Sequence, residues 1–151
     1  MSGETRVTTR PDETQQAGVE LAARLRPGDL VILSGPLGAG KTVFVKGLAL
    51  GMGIDPKDVH SPSYTMVSEY GPAPSGVRLV HADLYRVDEA AEIDELGLAD
   101  YLTGDHVVAV EWGERLPAVL KRDAIVVSIE DAGEERRRLS VSHAGSSGLP
   151  A

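Results

Sequence analysis

The chain has 151 residues, 42% of them hydrophobic and 25% charged, so it reads as one globular domain able to bury roughly 68–70% of its unfolded surface. Its formal net charge of −8 repels phosphate backbones and argues against unaided nucleic-acid binding. No run approaches the ~18 apolar residues of a membrane helix, the first ten residues lack the apolar core of a signal peptide, and the lack of cysteine excludes disulfides and thiolate metal sites and fits a cytoplasmic protein.

In chain order, residues 1–10 are expected to be a flexible N-terminus, residues 11–143 the folded domain and residues 144–151 a disordered tail. The stretch "PDETQQAGVELAARL" predicts a first helix, with Asp12 as its N-cap and Ala17, Leu21 and Leu25 on the apolar face. "PGD" then turns the chain into "LVILS", whose unbroken apolarity predicts a strand buried on both faces. "KTVFVKGLALGMG" reads as a helix ended by Gly51 and Gly53. Strands are predicted in "SPSYTMVSEY", "VRLVHAD", "HVVAVEW" and "AIVVSIED", and "RRLSVSHA" reads as an edge strand. Acidic "DEAAEIDELGLADYL" predicts one or two helices broken near Gly97, and the basic run Arg136-Arg137-Arg138 reads as exposed charge facing the acids of "EDAGEE". Together these predict a single α/β domain, layered, with a mixed central β-sheet and helices packed on it.

Between the first buried strand and the second helix lies "GPLGAGKT", residues 35–42, which fits G-x-x-x-x-G-K-S/T. Gly35, Gly38 and Gly40 let the backbone turn tightly and aim successive N–H groups at phosphate oxygens. The helix that follows adds the positive end of its dipole. Lys41 supplies a charge for the β- and γ-phosphates, and the Thr42 hydroxyl can ligate Mg2+. A chance glycine turn is the bland alternative; a strand before and a helix after favour the phosphate loop.

A phosphate loop of this kind works with an acid on a neighbouring strand, which holds or orients the metal. Two predicted strands end in one, "LVHAD" in Asp83 and "VVAVE" in Glu111, and spacing leaves both open. Thr65 reads by default as a strand residue, and Trp112, the only tryptophan, as a packing residue. Histidines 60, 81, 106 and 143 show no metal-ligand spacing, so zinc is not expected. Guanine-specific GTPases carry an Asn-Lys-x-Asp motif, and this chain has no asparagine, which makes ATP the expected nucleotide.

Four ordered stretches, "GPLGAGKT", "SPSYTMVSEY", "HADLYRV" with "ELGLADYL", and "VEWGERLP", give the chain a family resemblance. From about Pro11 to Val141 it resembles the bacterial tRNA threonylcarbamoyladenosine biosynthesis ATPases, the TsaE family. That resemblance implies a P-loop ATPase using ATP and Mg2+. It would support the partner proteins TsaB and TsaD in making N6-threonylcarbamoyladenosine at position 37 of tRNAs decoding ANN codons, touching tRNA only through the complex. It implies Thr42 and Glu111 as the Mg2+ ligands. Asp83 would lie near the γ-phosphate, to position water or couple hydrolysis to partner binding, with Thr65 at a switch-like strand start and Trp112 beside the nucleotide. Gly38, Ala39, Gly40, Lys41, Thr42 and Val43 would cradle the phosphates, and Glu13 and Arg137 would flank the base or ribose. The chain departs from the family pattern at Pro36, Ser63 and Gly113, none of which carries a group assigned here.

Two other readings compete. A small P-loop metabolite kinase needs an acceptor pocket and an arginine-rich lid, where this chain offers the acidic "DEAAEIDELGLADYL". A nucleotide-gated binding module with negligible turnover would share every motif above and differ only in rate. Arg86 and Arg115, just past the two strand-end acids, read by default as solvent-exposed charge; the sharper reading is that partner docking orders these segments and completes the site.

Overall fold

The computed structural model describes residues 4–36, 40–59, 67–84, 97–102, 104, 106–112, 116 and 123–143. Their strands are, in chain order, β1 (Glu4–Thr8), β2 (Leu30–Ser34), β3 (Val67–Tyr70), β4 (Arg78–Asp83), β5 (His106–Glu111), β6 (Ile125–Gly133) and β7 (Arg136–His143). The helices are α1 (Pro11–Ala22), α2 (Lys41–Met52) and the single turn α3 (Leu98–Tyr101). All strands join one mixed sheet in the order β1-β7-β6-β2-β5-β4-β3. Its centre, β6-β2-β5-β4, is parallel, and β7, β1 and β3 are added antiparallel at the two sides.

The unbroken apolar runs sit where burial on two faces demands them. Val31 and Leu33 of β2 join Leu79, Val107, Ala109 and Val127 under α1 and α2. Leu30 and Ile32 join Val80, Ala82, Val108 and Val110 on the opposite face, with Leu98 of α3, Leu116 and Ala124. Adjacent residues of β2 thus serve two cores, which leaves it no position for a polar side chain except its last, Ser34.

Helices α1 and α2 touch backbone to backbone. A Cβ on Gly18 would lie 2.4 Å from the Phe44 carbonyl oxygen, and one on Gly47 would lie 2.0 Å from that of Gln15. Only glycine permits this approach, and it fixes α2, and with it the loop at its N-terminus, against the sheet.

Three expectations change. Residues 4–8, expected in a flexible N-terminus, form β1 and pair with β7, so the folded unit begins before residue 11. Strand β7 is therefore internal and β1 is the edge; its pattern of four exposed residues before Thr8 offers no apolar alternation to read. Asp12 is not the N-cap of α1: Arg10 is, in extended conformation, because Pro11 takes the first helical position, where its missing N–H costs nothing. The first turn is closed from the side chain of Glu13, whose Oε1 accepts from the Thr9 N–H at 2.6 Å and the Thr9 hydroxyl at 3.0 Å. The described helix of the acidic segment starts just after Gly97, and residues 85–96 and the tail 144–151 lie outside the described residues.

Candidate functional site

Strand β2 ends at Ser34, and α2 begins at Lys41. The residue between loop and helix, Gly40, has φ 109°, a left-handed conformation that costs other residues about 1–2 kcal/mol. Its carbonyl accepts the first helical hydrogen bond, from the Phe44 N–H at 3.0 Å. Thr42 and Val43 follow on the first turn, both half-buried, at the end of the helix where backbone N–H groups have no helical partner. Gly38 and Ala39 lie outside the described residues, as does Thr65.

Lys41 is 5% exposed, a depth at which an ammonium needs partners. It has three. Nζ donates to the Gly35 carbonyl at 2.7 Å, lies 4.0 Å from Glu111 Oε1, and sits 4.8 Å above the centre of the Trp112 ring. The Gly35 carbonyl thus faces the lysine, with the ammonium held where β2, α2 and the end of β5 meet.

The two strand-end acids arrive together. In the parallel β4–β5 pair Asp83 is the register partner of Glu111, and Glu111 is in turn level with Leu33 of β2. Past this row the Leu84 N–H donates to the Glu111 carbonyl at 3.0 Å and the Trp112 N–H to the Leu33 carbonyl at 3.3 Å. Trp112 has φ 62°, rare for a bulky residue, and so its ring leaves the strand and comes to lie by Lys41. Glu111 is 5% exposed, and its other oxygen, Oε2, is 2.7 Å from Nε2 of the fully buried His81. Lys41, Thr42, Asp83, Glu111 and Trp112, chosen from different stretches of sequence, thus come from the C-terminal ends of two adjacent strands, β4 and β5, and from the start of the helix that follows their neighbour β2.

A cleft of about 220 Å³ opens beside the start of α2, lined by Gly40, Val43, Thr14, Thr8, Arg10 and Arg137 among others. Arg137 reaches it with a partly buried side chain, 3.8 Å from Asp131. Glu13 is not among the described residues that line this cleft. Its carboxylate is held below the usual range, chiefly by the Thr9 backbone N–H and then by the Thr9 hydroxyl, and closes the first turn of α1. The N-terminal segment contributes more to the cleft than its composition suggests. A buried 2.8 Å hydrogen bond between the Thr8 and Thr14 hydroxyls ties β1 to α1 there.

Sequence reasoning missed His81. The signal was the spacing in "HAD": a residue two before Asp83 on a strand shares its face.

Among the described residues no group of three or more His, Asp or Glu side chains could hold a metal ion alone. The oxygen donors present, Thr42 and the carboxylates of Asp83 and Glu111, suit Mg2+ that takes the rest of its shell from phosphates and water. Glu111, with one oxygen engaged by His81, fits a ligand that offers a single oxygen.

Comparison with known proteins places the chain in a family and its fold among solved structures. The family model described as threonylcarbamoyl adenosine biosynthesis protein TsaE matches residues 8–139. The tRNA threonylcarbamoyladenosine biosynthesis protein TsaE of Bacillus subtilis is 38% identical over 139 residues, 91% of this chain and 84% of the relative. Its Treponema pallidum counterpart is 32% identical over 136 residues, 90% of this chain and 98% of the relative. The crystal structure of Bacillus subtilis YdiB superposes with a TM-score of 0.74 at 31% identity, covering 97% of this chain and 88% of that one. The fold is that of the P-loop NTPases, and the chain belongs to the TsaE family.

Proposed function

We propose that this chain is a Mg2+-dependent ATPase serving tRNA modification, the formation of N6-threonylcarbamoyladenosine at position 37 of tRNAs reading ANN codons, in complex with TsaB and TsaD. The observation that carries the reading is the convergence of Lys41, Glu111 and Trp112 within 4.8 Å at the mouth of the loop, with Asp83 level with Glu111.

In this reading the backbone amides of residues 38–43 cradle the phosphates, and the nucleoside occupies the adjoining cleft against Arg137. Lys41 exchanges the Gly35 carbonyl for the β- and γ-phosphates. Thr42 and Glu111 hold Mg2+, which neutralises charge on the phosphates when bound. Asp83 orients the attacking water, or relays the state of the nucleotide to a partner. Thr65 is the switch residue. Trp112 packs beside the nucleotide and walls off the lysine. The formal net charge of −8 leaves tRNA to the partners.

The test is a pull-down of TsaB and TsaD with ATP, ADP or no nucleotide, followed by an assay for the modified adenosine, using the wild-type chain and Lys41→Ala. Nucleotide-dependent capture and formation of the modified base, both lost in the folded variant, are expected. Capture and modification that ignore both nucleotide and Lys41 would overturn the reading.

A further inference from the structure

His81 belongs to β4 and has Ala109 of β5 as its register partner; Glu111, two residues on, lies on the same face. That diagonal brings ring and carboxylate together. The ring is fully buried, with Nε2 2.7 Å from Glu111 Oε2 and the Tyr70 ring tilted against it at 6.4 Å between centroids. Nδ1 is buried as well and has no hydrogen-bond partner among the described residues. The proton therefore sits on Nε2. Placed there it is donated to the carboxylate, whereas on Nδ1 it would be a buried donor with nothing to meet.

We propose that His81 is a positioning residue for the metal side of the site. Its Nε2–H holds Oε2 of Glu111, so that Oε1, 4.0 Å from Lys41 Nζ, is the oxygen presented beside the phosphate loop. The proposal rests on the reading of Glu111 as a Mg2+ ligand. Two physical effects follow. A free glutamate side chain would have to give up rotamer freedom on metal binding, and His81 removes that freedom in advance. Without His81 both oxygens could also turn to Lys41, tying up the lysine and the metal ligand in one ion pair. Buried donors that orient ligands in this way commonly change metal affinity by about 10–100-fold when removed.

The experiment measures ADP and ATP affinity by calorimetry, at saturating Mg2+ and in excess chelator, for wild type, Glu111→Gln, His81→Leu and His81→Gln. His81→Leu fills much of the space and removes the donor; His81→Gln carries an amide N–H about as far from the backbone as Nε2. The gain in affinity on adding Mg2+ should fall about tenfold or more in His81→Leu and largely return in His81→Gln. Affinity in chelator should fall far less than the Mg2+ gain in both variants, since only the Glu111–Lys41 contact changes there. A folded His81→Leu that keeps the full Mg2+ gain, while Glu111→Gln loses it, overturns the inference and spares the reading beneath it. A wild-type affinity indifferent to Mg2+, or a Glu111→Gln variant with the full gain, overturns that reading and the inference together. Should His81→Leu fail to fold, His81→Gln and nitrogen NMR of the wild-type ring decide: the Nε2-protonated tautomer is expected, and the Nδ1-protonated one overturns the proposal.

Discussion

Replacing Gly47 by alanine would ordinarily strengthen a helix, by about 1 kcal/mol in intrinsic propensity. In this fold it should do the opposite. The added Cβ would lie 2.0 Å from the Gln15 carbonyl oxygen, 2.9 Å from the Gln15 carbonyl carbon and 3.0 Å from Gly18 Cα. An unstrained contact needs about 3.5 Å, so α1 and α2 must part by more than about 1 Å. Every obstructing atom is backbone and none can rotate aside, which puts the cost at the upper end of the usual 1–3 kcal/mol for overpacking. The net expectation is a loss of about 2 kcal/mol, read as a lower urea midpoint at unchanged slope. Because α2 begins at Lys41, the displaced helix should also weaken ATP binding. Gly51→Ala is the comparison: its first obstacle is the Ala22 Cβ at 2.7 Å, closer to the helix end, and its effect should be smaller. A Gly47→Ala protein as stable as wild type would refute the close-contact argument.

Glu111→Ala should lose Mg2+-dependent nucleotide affinity, seen in a Mg2+ titration, whereas Asp83→Ala should still bind and lose hydrolysis; reversed phenotypes would exchange their roles. Glu13 contributes stability in its ionised, capping form, with its carboxyl depressed chiefly by the Thr9 N–H. That contribution is present above the ordinary carboxylate range and lost as pH falls through the depressed native value. Glu13→Gln should thus be less stable than wild type at neutral pH, with a difference that shrinks in acid; a pH-independent gap in urea midpoints would contradict this. The isolated chain should bind tRNA weakly, since −8 leaves no basic footprint, and tight, salt-sensitive binding in a filter assay would refute that.

The parts legible in the sequence were those in which one residue type has one use. "LVILS" reads as a strand buried on both faces and "GPLGAGKT" as a turn from that strand into a helix, and the structure has β2 ending at Ser34 and α2 beginning at Lys41. Strand β1 escaped because an edge strand facing solvent needs no apolar alternation; its place is set by backbone pairing with β7 and by ion pairs such as Arg24–Glu4. The capping of α1 escaped because Asp12 and Glu13 are both acids in a first turn, and only the position of Pro11 decides which of them is free to reach back. His81 escaped for a different reason. A single histidine has no meaning until the strand register shows which carboxylate it faces, and that register depends on β4 and β5 lying side by side.

The claim that joins these parts is that Lys41 and Glu111 serve an ATPase whose site is completed by its partners. A P-loop can hold phosphates without placing the attacking water, so positioning limits the rate. In the proposed reading Arg86 and Arg115, which lie outside the described residues, would finish the site when the partners dock. The direct test is steady-state ATP hydrolysis by the purified chain, alone and with TsaB plus TsaD, at saturating ATP and Mg2+. The account predicts slow turnover alone, a marked rise with the partner pair, and no turnover in either mixture with Lys41→Ala; equal rates with and without partners would contradict it.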